Sequence, residues 1–260
     1  MKYSGLYVIG LTGGIASGKS TVSRMLRELG AVIIDADEVS REVVSPGTVG
    51  WRRVVDAFGP GILRPDGTIN RRKLGGMVFG DKEALDKLDS IIHPLVMARV
   101  EETLAELSRE SVEGKEGTGE QENAVGMEGV AQQEGMVKME DAGEKRSAGE
   151  GQVERSRKKL NVKVVVLDAP LLFEVGADKL VDEVWVVSVD PETQMERLIR
   201  RNGYSKTEAL SRISSQMPLP EKERLSDVVI DNRGDPESTR KQVLALWQEV
   251  RRKIRRIAMQ

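Results

Sequence analysis

Gly13-Gly14-Ile15-Ala16-Ser17-Gly18-Lys19-Ser20-Thr21 is the stretch whose reading decides the fold. An apolar run, Tyr7-Val8-Ile9-Gly10-Leu11, precedes it, and a helical pattern from Thr21 to Leu29 follows. Strand, glycine-rich turn and helix form the setting in which G-x-x-x-x-G-K-[ST] binds phosphate. Glycines let successive backbone N–H groups turn inward on an anion. The helix N-terminus adds about half a positive charge at the same place. Residues Gly13 to Thr21 are therefore expected to hold a nucleoside triphosphate. Lys19 would reach the β- and γ-phosphates, and the Ser20 hydroxyl would ligate Mg²⁺.

Outward from that loop, four more short apolar runs read as buried parallel strands. They are Ala31–Asp35, Lys163–Asp168, Glu183–Val189 and Asp227–Asp231. Helical patterns separate them, so the expected fold is α/β: a doubly wound, five-stranded parallel sheet. Ligands of such sheets sit beyond the carboxyl ends of the strands. That rule places Asp35, Asp37 and Asp168 on the same rim as the phosphate loop.

Between the second and third strands the apolar spacing is helical from Glu38 to about Leu107, which predicts a helical subdomain over the site. His93-Pro94 is expected to kink or restart its longest helix. From Glu110 to about Arg157 there is no Leu, Ile or aromatic residue. Such a stretch buries too little apolar surface to offset ordering, so disorder is expected there. Between Glu110 and Gln152 stand 11 acidic and 4 basic residues, a net charge of -7, which leaves about +5 on the rest. A body of that charge suits small polyanions and falls short of a nucleic-acid binder. After the fourth strand come two helices carrying Arg197, Arg200, Arg201 and Arg212, expected to close as a lid. The predicted division is a nucleotide core (1–40, 160–192, 221–260), a helical acceptor domain (41–109), an acidic glycine-rich insertion (110–159) and a lid (193–220).

The chain has no cysteine and one histidine, which excludes disulfides, thiolate metal sites and cysteine nucleophiles. No run of about 18 apolar residues is present to cross a membrane. The first core strand begins too early for a cleavable signal peptide, so a cytoplasmic protein is expected. No coiled-coil heptad or exposed apolar stripe is evident, which leaves the oligomeric state open, with a monomer favoured.

A phosphate loop fits switch GTPases, ring ATPases and small-molecule kinases alike. The Asn-Lys-x-Asp element of guanine-specific switches is missing, and ring ATPases need longer chains. A kinase needs a base near an acceptor hydroxyl, a domain for the acceptor, and cations over the transferred phosphoryl. Asp35/Asp37, the helical subdomain and the arginine helices supply these parts.

Several motifs, in order, resemble dephospho-CoA kinases: Thr12 through Thr21; Ile34-Asp35-Ala36-Asp37 with Arg41; Asp66 through Arg72; His93-Pro94; Pro170-Leu171-Leu172-Phe173-Glu174; and Asp231-Asn232-Arg233-Gly234. The resemblance spans nearly the whole chain except the acidic segment. It implies transfer of a phosphoryl group from ATP, with Mg²⁺, to the 3′-hydroxyl of dephospho-CoA. It also implies that Asp37 is the base. At a strand end beside the γ-phosphate, a carboxylate suits that role; Asp37 also reads as a helix N-cap. Asp35 would orient Mg²⁺ or Lys19. Asp168 would hold a metal-bound water or merely end its strand. Arg41, Arg71, Arg72 and Arg99 are expected to contact the acceptor, and His93 to pack structurally or touch it. Arg197 and Arg201, one helical turn apart, are candidates for ATP phosphates, and Asn232 for the adenine side. A nucleoside monophosphate kinase and a hydrolysing switch without acceptor are the competing functions.

Overall fold

The computed structural model describes residues 1–78, 80–113 and 162–257. Five strands pair in parallel: β1 (Leu6–Gly13), β2 (Val32–Asp35), β3 (Lys163–Asp168), β4 (Glu183–Ser188) and β5 (Val228–Asp231). Their order is β2-β3-β1-β4-β5, the doubly wound parallel sheet expected from the sequence. β1 is buried along its whole length, which is why its run is apolar throughout rather than alternating. The chain leaves β1 toward one edge and later returns to its other side at β4. That change of direction leaves a crevice at the carboxyl end of β1, where the phosphate loop begins.

Helices α1 (Lys19–Glu28) and α9 (Pro236–Ile257) cover one face of the sheet. Helix α9 buries Thr239, Val243, Trp247, Val250 and Ile254, a stripe at spacings of three and four. The opposite face is covered by α2 (Ala36–Glu42) and the second half of α5 (Lys82–Glu113) through Val39, Val96, Val100 and Leu104. A third cluster, Val44, Val54, Ile62, Ile69, Leu74 and Val78, joins α3 (Val49–Phe58) and α4 (Arg71–Val78) to Leu88, Ile91 and Ile92 in the first half of α5.

Helix α5 does not restart at His93-Pro94: Pro94 lies inside one continuous helix. An internal proline costs about 3 kcal/mol. Here the helix packs against separate apolar clusters on either side of Pro94. Burying several large side chains at roughly 1.5–3 kcal/mol each outweighs the missing hydrogen bond. The helix also runs on to Glu113, past the point where loss of order is expected. The remainder of the acidic insertion, 114–161, lies outside the described residues.

Beyond β4, Asp190 caps α6 (Pro191–Asn202) by accepting from Thr193 N at 2.8 Å. A Ser205–Glu208 capping box starts α7 (Lys206–Ser214). A further helix, α8 (Leu219–Leu225), follows with Lys222 fully buried. The sequence pattern hides it behind Pro218 and Pro220, yet proline suits the first turn of a helix.

Candidate active site

The phosphate loop leaves β1 at Gly13 and enters α1 after Gly18. Gly18 sits at φ 94, and Ala16 at φ 61 is the one non-glycine residue with positive φ among those described. Asn232 braces the loop from the end of β5. Its Nδ2 donates to Ser17 O at 2.7 Å, and its Oδ1 accepts from Thr239 Oγ1 at 2.7 Å. Both ends of that amide are engaged inside the protein, so the side chain braces the loop. A Cβ on Gly18 would stand 2.0 Å from Asn232 Nδ2. Gly18→Ala is therefore expected to lose the brace as well as glycine's freedom at positive φ. The expected destabilisation is about 2–3 kcal/mol, read by urea denaturation; an unchanged midpoint would refute the brace.

Lys19 forms an ion pair with Asp168, and both side chains are largely buried. Strand register explains the meeting: Asp168 lies beside Leu11 of β1 on one side and Asp35 of β2 on the other. Neighbouring strands lie about 4.8 Å apart, so one rim carries the loop, Asp168 and Asp35 in sequence. Asp35 caps α2, accepting from Asp37 N at 2.8 Å and Glu38 N at 3.3 Å. The capping role read for Asp37 thus belongs to Asp35, and the Asp37 carboxylate stands exposed in the first turn of α2.

Arg71 opens α4 and lines a cavity of about 190 Å³ with Ser40, Val44, Leu74 and Ile92. Burial, then the Arg41 cation, lowers its pKa, while Asp37 acts the other way. Arg41, Arg71 and Asp37 therefore share one electrostatic neighbourhood. Arg72 is exposed beside Arg71. Arg99 is held by carboxylates: Glu42 at 3.0 Å, Glu102 at 3.1 Å and Glu106 at 3.8 Å. These contacts tie α2 to α5. His93 Nε2 lies 3.5 Å from Asp89, one turn earlier on α5.

The arginines of α6 diverge. Arg197 Nη2 donates to Asn232 O at 3.0 Å, and its Nη1 lies 3.9 Å from where a Gly18 Cβ would stand. Arg201 is exposed and donates to Asn202 at 2.8 Å. Of the pair, the structure brings Arg197 alone to the phosphate loop.

The family model described as dephospho-CoA kinase matches residues 7–113 and 149–238. The chain belongs to the dephospho-CoA kinase family. The dephospho-CoA kinase of Carboxydothermus hydrogenoformans is 43% identical over 244 residues, covering 94% of each chain. That of Geobacter sulfurreducens is 42% identical over 92% of this chain and 96% of its own. Among solved structures, TT1252 from Thermus thermophilus superposes with a TM-score of 0.63 at 27% identity, covering 94% of this chain and 97% of the other. The family match breaks between residues 113 and 149, inside the acidic segment, so the site residues named above fall in the matched parts.

Three further residues, Gln194, Gln216 and Lys222, escape sequence reading, and so does the role of Glu174. Gln194 and Gln216 bond the backbone of Ile15. Lys222 and Glu174 pair at 2.8 Å, and Lys222 also donates to the Pro170 carbonyl, which accepts from Thr12 as well. Their partners lie from 48 to 201 positions away along the chain, beyond any local pattern. A buried lysine among proline and acidic residues carries no signal of its own.

Proposed function

We propose that the rim from Lys19 to Asp37 carries the phosphoryl transfer of a dephospho-CoA kinase, with Asp37 accepting the proton of the 3′-hydroxyl of dephospho-CoA as ATP gives up its γ-phosphoryl. Family membership over both matched segments supports the reaction. The observation that carries the residue assignment is the register of Asp168 beside Asp35 at the mouth of the loop. It puts Asp168, the partner of Lys19, next to Asp35, two residues before the exposed Asp37. Lys19 neutralises the β- and γ-phosphates, turning from Asp168 toward them. Arg41 and Arg71 draw the acceptor's anionic groups toward Asp37, and Arg197 adds charge at the donor's end of the loop. Phosphoryl transfer rests on positioning and charge neutralisation, and these residues supply both.

The site suits Mg²⁺. Ser20 in the first turn of α1 and the buried Asp168 offer hard oxygen donors. Among the described residues no group of three or more acidic, His or Cys side chains is placed to cage a metal. Mg²⁺ fits such a site because it takes most of its oxygens from phosphates and water. Bound there, it would neutralise charge on the β- and γ-phosphates.

Helices α6 and α7 act as the lid and α3 to α5 as the acceptor domain in this reading. Among the described residues no helix is long and apolar enough to cross a membrane. A cytoplasmic location and a monomeric state complete this reading. A coupled assay of ADP release tests the reaction: turnover is expected with dephospho-CoA and little with AMP, CMP or shikimate. Equal turnover with a nucleoside monophosphate would make it a nucleotide kinase. Hydrolysis indifferent to dephospho-CoA would make it a switch.

A further inference from the structure

Ile15, the third residue of the phosphate loop, is held on both sides by side chains from the lid segment. Its N–H donates to Gln216 Oε1 at 2.9 Å. Its carbonyl accepts from Gln194 Nε2 at 2.9 Å. The chemistry fixes both amide orientations, since an N–H needs an oxygen and a carbonyl needs an N–H.

Gln194 belongs to α6 and is 5% exposed. A Cβ on Gly14 would stand 2.5 Å from its Nε2, so Gly14 leaves room for the amide to reach the loop. Gln216 lies between α7 and α8. It does not swing freely, because the next residue, Met217, donates its N–H to Glu174 Oε1 at 3.0 Å. The residue after Ile15 is Ala16, at φ 61. A side chain in that conformation is unfavourable and persists only where its surroundings hold it. The Ile15 carbonyl belongs to the peptide whose plane sets that φ, and Gln194 pins it.

We propose that Gln194 and Gln216 are positioning residues that fix the Ile15 and Ala16 peptides of the phosphate loop in their anion-binding orientation and tie that orientation to the lid segment. The inference rests on the loop being the ATP site. The brace persists when ATP is bound. Gln216 is therefore not a stand-in for phosphate that must be displaced. That distinction has opposite consequences: losing a brace weakens ATP, whereas losing a competitor strengthens it.

The test uses the full chain with Gln194→Met, Gln216→Met and both together. Methionine keeps the length of glutamine and removes its hydrogen bonds. Wild-type turnover of dephospho-CoA in the same assay checks the ATP-site reading separately. Each single variant is expected to raise the KM for ATP about 5-fold and lower kcat, with the KM for dephospho-CoA within about 2-fold of wild type. Because both act on one stretch of backbone, the double variant is expected to fall well short of the product of the two effects. A merely structural role would lower the melting temperature and the active fraction while leaving the KM for ATP alone. If Gln194→Met fails to fold, Gln216→Met decides by itself, because that side chain is only half-buried. An unchanged or lowered KM for ATP in Gln216→Met, or multiplicative effects in a folded double variant, would overturn the proposal.

Discussion

Asp37→Asn is expected to lower kcat at least 100-fold and to leave the affinity for ATP unchanged. A positioned general base contributes typically 10²–10⁴-fold, and an asparagine amide cannot take the hydroxyl proton. The structure makes this substitution clean. Asp37 donates only its backbone N–H to the cap of α2, and the capping carboxylate belongs to Asp35. The start of the helix therefore survives, and with it the placement of Arg41 in its last turn. In the proposed site ATP is held by the loop and Lys19, none of which bonds the Asp37 side chain. The KM for dephospho-CoA is expected to shift modestly, because Arg71 loses the neighbouring charge that raises its pKa. Initial-rate kinetics in both substrates, with a binding measurement for ATP, separates these effects. A variant with near-normal kcat would remove Asp37 from the role of base and leave the neighbouring carboxylates Asp35 and Asp168 to explain.

The contrast between Asp35 and Asp37 shows how far the sequence can be read. Both lie in one polar turn after an apolar run, and their residue types leave open which of them caps the helix. Which does which depends on where β2 ends, a boundary set by its pairing with β3. The sheet itself is legible because parallel strands buried on both faces need unbroken apolar runs, and α9 because its stripe repeats at helical spacing. The phosphate loop is legible because its chemistry is local. Asn232 is visible as a polar residue in a turn, yet its brace on Ser17 spans 215 positions. The continuity of α5 through Pro94 is hidden for a related reason. Proline's cost is local, while the packing that outweighs it is supplied by α2, α3, α4 and the sheet.

Glu174→Ala is expected to destabilise the fold by about 3–5 kcal/mol, more than the loss of its partner Lys222. The two ends of this pair are not equally placed. Lys222 is fully buried, with Glu174 at 2.8 Å and the Pro170 carbonyl as its hydrogen-bonding partners. Removing the carboxylate strands an ammonium group out of reach of water, the costliest way to break a buried pair. It also leaves Met217 N–H without its acceptor. Lys222→Met keeps the apolar stem and the volume. The Glu174 side chain it leaves behind is 22% exposed, so water can take up part of the charge. A Lys222→Met/Glu174→Gln double variant removes both charges and is expected to lie closer to wild type than Glu174→Ala. At roughly 2–4 °C per kcal/mol for a chain of this size, Glu174→Ala should melt about 10 °C lower. Thermal and urea unfolding of the three variants give the ranking. If Lys222→Met proved the more damaging, the stranded-charge account would be wrong, and the lysine would matter for the carbonyl it holds. That carbonyl also accepts from Thr12 Oγ1 at the foot of the phosphate loop, at 3.2 Å. Its loosening would then register as a raised KM for ATP in Lys222→Met, beyond what Glu174→Ala shows.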